Sequence, residues 1–221
     1  MNARANPMID ATRIERHAAM PADMRQLLRR ATHRHHDRLD ASSILAPLIL
    51  PGVSLDGYRQ AMLAMLRTYR RVDACLQTPP AGRSGGATVL PAYRARSPAM
   101  QHDLRALGMT TDTVLSHAPV GLERPTTLAA YLGMRYVIEG SQFGNRVIAR
   151  NLNDVFGAAA ADFCTAWQPC AKSDDGWPGV MAALSALQTR AEVAAALRGA
   201  RQTFRYFVAN LCMPVQVQLP S

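Results

Sequence analysis

The residues best suited to chemistry form a short run, HRHHDRLD at positions 33–40. His33, His35 and His36 fall within four positions, and Asp40 follows His36 by four residues. Residues four apart share one face of a helix, so the Asp40 carboxylate can accept the N–H of the His36 ring and fix its tautomer. A histidine held in this way is suited to coordinate a metal through its other ring nitrogen.

Several functions compete for these histidines. The plainest alternative is that all three are solvated or hydrogen-bonded side chains on a basic helix. A zinc or di-iron site would need further carboxylates or Glu-x-x-His pairs. The chain has no such pair, and His33 and His36 alone have a suitable spacing. The net charge of +9 would suit nucleic-acid binding. No recognition-helix pattern or aromatic cluster supports that function, which remains a weak alternative.

A third hypothesis makes one of these histidines an axial ligand of heme iron, a role that a single neutral imidazole fills well. The pairing of His36 with Asp40 favours it, and so does Arg29. Arg29 lies seven residues before His36, two turns along the same face, where a guanidinium group can pair with an anionic propionate. His35 shares the apolar side of the helix with Leu28 and Leu39, so periodicity alone leaves open which histidine is the ligand.

A second unusual pattern is a row of glycines in the apolar segment 125–152. Gly133, Gly140 and Gly144 are spaced by seven and four residues, so they lie on one helical face, with Ser141 at its edge. Each glycine inside a helix costs about 1 kcal/mol relative to alanine. Close packing against another helix is the simpler explanation. The alternative is that a flat ligand lies against the exposed backbone where the helix bends.

The rest of the chain must fold so as to position these residues. With 221 residues and 48% hydrophobic composition, it can bury one sizeable core. Apolar periodicity is helical almost throughout, which predicts an all-α fold. We expect helices at 23–39 with Asp23 as N-cap, 55–76, 98–107, 110–117, 125–152 as one helix starting at Pro125, 155–168, 177–188 and 190–212. The segment 78–98 is expected to be a surface loop.

The composition also predicts the domain organisation and the cellular setting. We expect a flexible leader at 1–22, one helical domain at 23–213 and a C-terminal tail at 214–221. The four cysteines show no CxxC spacing and are expected to be reduced thiols. No apolar run predicts a signal peptide or a membrane span, so we expect a cytoplasmic protein without a membrane partner.

Three segments together resemble a known family. LRRATHRHHDRLD at 28–40 is similar to the first-helix pattern of bacterial heme oxygenases, in the biliverdin-producing branch often found beside bacteriophytochromes. YLGMRYVIEGSQFGNRVIARNL at 131–152 resembles their distal helix, with Glu-Gly-Ser-x-x-Gly as its most specific part. GARQTF at 199–204 is similar to a last-helix motif. The resemblance covers roughly residues 24–212 and implies a single-domain helical bundle with heme b between a proximal first helix and a kinked distal helix.

Residue by residue, the resemblance implies His36 as the iron ligand and Asp40 as its partner. Two arginines are implied at the propionates, and a phenylalanine in the wall of the heme site. These are Arg29, Arg135 and Phe204. On the distal side it implies four residues of the distal helix next to the oxygen-binding face of the heme, which are Gly140, Ser141, Gly144 and Asn145. A serine at 141 is typical of the bacterial branch, whereas mammalian-type members carry an aspartate there. Many members have a second glycine where this chain has Asn145.

The implied activity is cleavage of heme to biliverdin with release of CO and ferrous iron. The reaction would use O2 and electrons from a ferredoxin or reductase, and an acidic donor would suit the basic chain. A bacteriophytochrome is the implied acceptor of biliverdin. A heme carrier that has lost turnover on the same scaffold remains the alternative. Both functions require His36 and the backbone at 140–144 to face each other across one porphyrin thickness.

Overall fold

The computed structural model of the chain describes residues 23–81, 90–111, 121–168 and 176–212. Within these residues all regular structure is helical, which confirms the predicted all-α class. The α-helices are α1 (Met24–Ser42), α2 (Leu55–Leu76), α3 (Ser97–Ala106), α4 (Leu128–Gly140), α5 (Gln142–Phe156), α6 (Ala160–Phe163), α7 (Gly176–Ser185) and α8 (Arg190–Leu211). The predicted leader at 1–22 and the predicted tail at 214–221 lie outside the described residues.

Local capping signals explain where most helices begin. The Asp23 carboxylate accepts the backbone N–H of Gln26 at 3.2 Å, as predicted for α1. Ser54 and Thr127 cap α2 and α4 in the same way. Thr189 begins α8 with a capping box, in which its hydroxyl and the Glu192 carboxylate each accept the other residue's backbone N–H.

Helices α4 and α8 pack against each other through glycine. A Cβ added to Gly133 of α4 would overlap the carbonyl oxygen of Ala196 in α8, and one added to Gly199 of α8 would overlap that of Ala130 in α4. The two backbones therefore touch at a reciprocal pair of glycines. For Gly133, the simpler explanation of close helix packing is correct.

The predicted helix over 125–152 is wrong in its bounds and its continuity. It begins at Leu128, is interrupted at Ser141 and continues to Phe156. The Ser141 hydroxyl donates to the carbonyl oxygen of Ile138 at 2.8 Å. We call this interruption at Ser141 the helix bend, because a glycine followed by a serine that bonds back to the preceding turn is a recognised cause of bending. The segment therefore forms two helices, α4 and α5.

One other predicted helix needs correction. The segment 155–168 breaks into α6 and two short 3-10 turns, Gly157–Ala159 and Thr165–Trp167. Gly157 has a φ of 59°, which favours glycine and ends α5. Thr110 and Thr111 are not helical, and residues 112–117 of the predicted helix 110–117 lie outside the described residues, so that helix stays a prediction. The remaining predicted helices agree within three residues at each end.

Three of the four cysteines can be described. Cys75 and Cys164 are buried, Cys212 is half-buried, and all three are free thiols. Burial raises the pKa of the Cys164 thiol to about 11, so this thiol stays protonated and unreactive at neutral pH. Cys170 lies outside the described residues. Among the helices that the structure describes, none is long and apolar enough to cross a membrane.

Candidate functional site

The site is built around His36 on α1. Its Nδ1 lies 2.9 Å from Oδ2 of Asp40, so the predicted contact between the two side chains is present. Both side chains face solvent, with 62% and 65% of their surfaces exposed. With the proton on Nδ1 held by Asp40, Nε2 is the ring nitrogen left to coordinate a metal. The imidazole is thus oriented and accessible.

The other two histidines are placed differently. His33 is exposed, and its Nδ1 lies 2.9 Å from the carbonyl oxygen of Arg30 in its own helix. His35 is half-buried at the margin of the apolar stripe. Burial lowers its pKa, and the positive charges of Arg205, Arg201 and Arg38 lower it further. Neither ring combines the exposure and the carboxylate partner that His36 has.

Phe204 of α8 forms the wall beside this histidine. Its ring centroid lies 6.1 Å from that of His36, and the ring itself is buried. Phe204 belongs to the same apolar cluster as Val137 of α4, which lies one turn before Ser141. The backbone N–H of Ser141 donates to the Val137 carbonyl oxygen at 3.1 Å. Through this cluster, α8 links the surroundings of His36 to the helix bend.

The bend itself offers an accessible piece of backbone. Gly144 is exposed, and a Cβ added there would meet nothing within 4 Å. Asn145 is half-buried, and its backbone N–H donates to the Ser141 carbonyl oxygen at 3.0 Å, which carries the helical ladder past the bend. Gly140 is less open, because the Trp177 side chain of α7 occupies the space beside it. The predicted stripe of bare backbone is therefore open at Gly144 and closed at Gly133.

Arg29 lies exposed on α1, as an anion-binding side chain should. Burial raises the pKa of the Tyr136 hydroxyl on α4, and the charges of Arg25 and Arg29 act in the opposite direction. Both guanidinium groups therefore lie in the neighbourhood of Tyr136. This end of the site is positively charged.

Arg135 of α4 is placed differently from Arg29. Its side chain is fully buried, and its Nε donates to Oε1 of Glu139 at 2.9 Å. A second guanidinium nitrogen, Nη1, donates to the carbonyl oxygen of Pro91 and to the hydroxyl of Tyr131, each at 3.1 Å. Arg135 is therefore enclosed and paired with a carboxylate, unlike the exposed Arg29. Its contact with the propionates stays a prediction.

The sequence analysis did not identify two residues of the site. Glu139 is a buried carboxylate directly before Gly140, and Trp177 packs over that glycine. The sequence did carry signals for both. Glu139 is a charged residue in an apolar run, four positions after Arg135, and Trp177 stands in the unusual run Gly-Trp-Pro-Gly at 176–179.

Among the residues that the structure describes, no three His, Cys, Asp or Glu side chains group closely enough to hold a metal ion. The described part of the chain is thus an α-helical protein in which one exposed, carboxylate-paired histidine accompanies a bent helix with bare backbone.

Comparison with known proteins agrees with this class. No protein-family profile matches the chain. The chain is similar to a protein named heme oxygenase from Xanthomonas campestris pv. campestris (strain 8004). The two are 39% identical over 127 residues, which are 57% of this chain and 72% of the relative. The chain belongs to the heme oxygenase family.

Proposed function

We propose that the protein cleaves heme oxidatively to biliverdin and releases CO and ferrous iron, using O2 and electrons from a reductase or ferredoxin. Membership of the heme oxygenase family supports the reaction class. The observation that carries the proposal is the contact between His36 and Asp40 at 2.9 Å on an exposed face of α1. Heme would be both substrate and cofactor.

His36 would bind the heme iron through Nε2. Asp40 would hold the ring in the required tautomer and orientation, which is the usual role of a carboxylate behind a ligating histidine. Phe204 would keep the imidazole upright by packing against it. Arg29, two turns before the ligand and free in solvent, would pair with a propionate.

The distal side would be the bend between α4 and α5. Gly144 leaves room for a flat ring to approach the main chain, and Asn145 lies next to it. Ser141 donates its hydroxyl proton to Ile138, so its oxygen can accept a hydrogen bond from an ordered water. The buried Tyr69 hydroxyl, whose pKa is raised by burial, also contacts the Ser141 side chain. Ser141 and Tyr69 would together hold water for proton delivery.

The electron donor would bind a basic surface of α8. Arg198, Arg201 and Arg205 are exposed on one face of this helix and line a groove of about 500 Å³. Among the described residues, none of these three arginines forms an ion pair. An acidic ferredoxin or reductase would be attracted to such a row, and its reduction rate should fall as ionic strength rises. We place the protein in the cytoplasm, in the bacteriophytochrome-associated branch, with a phytochrome as acceptor of biliverdin.

Hemin titration of the purified protein tests the proposal. The wild type should develop a Soret band, and a reductant with catalase present should convert that band to the absorbance of biliverdin. His36→Ala should lose the coordinated spectrum and all turnover while its far-UV circular dichroism stays unchanged. His35→Ala is the matched control and should retain both.

The outcomes separate the alternatives. A Soret band without conversion in the wild type would favour a heme carrier on the same scaffold. The absence of a Soret band would exclude both functions. If His35→Ala lost the ligand and His36→Ala kept it, the assignment of the ligand on α1 would be wrong.

A further inference from the structure

Three aromatic side chains from α4, α5 and α7 meet beside Gly140. The Trp177 ring centroid lies 5.4 Å from that of Tyr136 and 5.5 Å from that of Phe143, the latter edge to face. Phe143 is 47% exposed, and the guanidinium of Arg146 lies over its ring, 5.8 Å from the centroid. The group bridges the helix bend, with Tyr136 before Ser141 and Phe143 after it.

Trp177 is in contact with the backbone of the bend. A Cβ added to Gly140 would lie 3.1 Å from the Cζ3 atom of Trp177 and 3.6 Å from Cη2. Next to this contact, a side chain of α4 lies against a glycine of α7. A Cβ added to Gly176 would lie 2.9 Å from Oε2 of Glu139. Glycine at 140 thus admits the indole, and glycine at 176 admits the carboxylate.

The carboxylate that anchors this contact is fixed on its other side. Glu139 accepts hydrogen bonds from Arg135 and, at 2.9 Å, from Nη2 of Arg96. Arg96 is held in turn, because its backbone N–H donates to the Asp73 carboxylate at 3.1 Å. The Glu139 carboxylate is thus held by two guanidinium groups, which restricts its movement. Because Gly176 packs against this carboxylate, the first turn of α7, which includes Trp177, packs against the end of α4.

The position of Trp177 divides the glycine stripe. Gly140 and Gly144 lie one turn apart on nearly the same face. The indole fills the space at Gly140, whereas the space at Gly144 is open. A flat ring placed on this face can therefore extend over Gly144 but must stop at the indole edge. Tyr136, which packs on the indole, lies on the side of Arg25 and Arg29.

We propose that Trp177 is a specificity-determining residue, whose indole edge limits how heme can shift and rotate over residues 140–144. By fixing that position, it selects the meso edge of the porphyrin that is opened. This inference rests on the proposed function, since it concerns the same substrate. The residues beneath Trp177, Glu139 and Gly176, act as positioning residues for it.

The seating of the ligand can be measured without turnover. The paramagnetically shifted methyl resonances of protein-bound ferric heme report its orientation in the site. The wild type should give one dominant set. Trp177→Ala should give at least two sets or a displaced set, with the Soret band of histidine-bound heme retained. Trp177→Phe should give a smaller change, and it also serves if the alanine variant does not fold. Trp167→Phe is the matched control, because Trp167 is buried elsewhere and bonded to the Tyr58 hydroxyl.

Product analysis gives the second readout. Chromatography should show one dominant biliverdin isomer from the wild type and from Trp167→Phe. In Trp177→Ala the ratio of the major to the minor isomer should fall roughly tenfold, the size of effect that a single pocket contact has on specificity. Unchanged methyl resonances and an unchanged isomer ratio in Trp177→Ala would refute the inference while leaving the proposed function intact. A wild type that binds no hemin would refute both.

Discussion

The two helices on either side of Ser141 carry the same kind of glycine but use it in opposite ways. Gly133 of α4 is buried against the Ala196 carbonyl of α8, whereas Gly144 of α5 faces open space. α4 is buried on most of its surface, and α5 has exposed apolar side chains at Phe143 and Val147. Helix α4 is therefore the structural half of this segment, and α5 is the half available to a ligand.

Alanine substitution at the two glycines should give the largest contrast. Gly133→Ala forces α4 and α8 apart, and we expect a loss of about 3 kcal/mol in the free energy of unfolding, at the upper end of the cost of overpacking a core. Gly144→Ala meets no neighbour and should gain about 0.5–1 kcal/mol from the better helix propensity. Urea denaturation of both variants measures this. Equal effects at the two sites would show that the proposed division between α4 and α5 is wrong.

The buried ion pair of α4 gives the next largest expected effect. Glu139→Gln removes the charge that neutralises the fully buried Arg135, and breaking a buried pair in this way costs about 3 kcal/mol. Asp56→Asn is the matched control, because Asp56 is 78% exposed in its pair with Arg59. It should cost less than about 1 kcal/mol. Thermal unfolding compares the two. A loss for Asp56→Asn as large as that for Glu139→Gln would contradict the structural role of the buried pair.

A pair of valines extends the comparison to side chains. Val137 of α4 is 7% exposed and Val147 of α5 is 55% exposed. Val137→Ala should lose about 2 kcal/mol, from the two methyl groups removed from the core. Val147→Ala should change the free energy of unfolding by less than about 0.5 kcal/mol. Both values come from the same denaturation experiment. A loss in the free energy of unfolding for Val147→Ala as large as that for Val137→Ala would mean that this face of α5 is covered by protein.

The last prediction concerns binding at the open half. Gly144→Leu places a bulky side chain where a flat ligand would lie, so hemin affinity should fall at least tenfold, about 1.4 kcal/mol or more. Its thermal stability should stay close to that of Gly144→Ala, because Gly144 is exposed and leucine and alanine have similar helix propensities. Titration by Soret absorbance gives the affinity. Unchanged affinity would indicate that Gly144 serves neither packing nor heme binding.

Gly140 is a poorer place for the same experiment. Because the indole of Trp177 already fills the space beside it, a bulky substitution there would displace α7 as well as any ligand. A loss of binding in such a variant would not distinguish a blocked distal face from a disturbed fold. The sequence offered no reason to prefer Gly144, since spacing treats the two glycines alike.

The sequence by itself determined the features that depend on neighbours along the chain. Helical periodicity and capping residues predicted the all-α class, the start of α1 at Asp23 and the bounds of α2. The pair of His36 and Asp40 was also predictable, because an i, i+4 contact follows from helix geometry alone. The bend at Ser141 was anticipated only as one explanation of the glycine stripe.

Only the tertiary structure decided that Gly133 packs against α8, that Trp177 covers Gly140 and that Gly144 is open. It also decided that Arg135 is fully buried, with Nη1 donating to the carbonyl oxygen of Pro91, and that Arg96 reaches the Glu139 carboxylate. Both depend on residues far apart in sequence, such as Ala196 against Gly133 and Arg96 against Glu139. The sequence around a glycine or an arginine looks the same whether that residue contacts protein, ligand or water. What lies opposite it is fixed by how the helices pack, and spacing within one helix cannot report that.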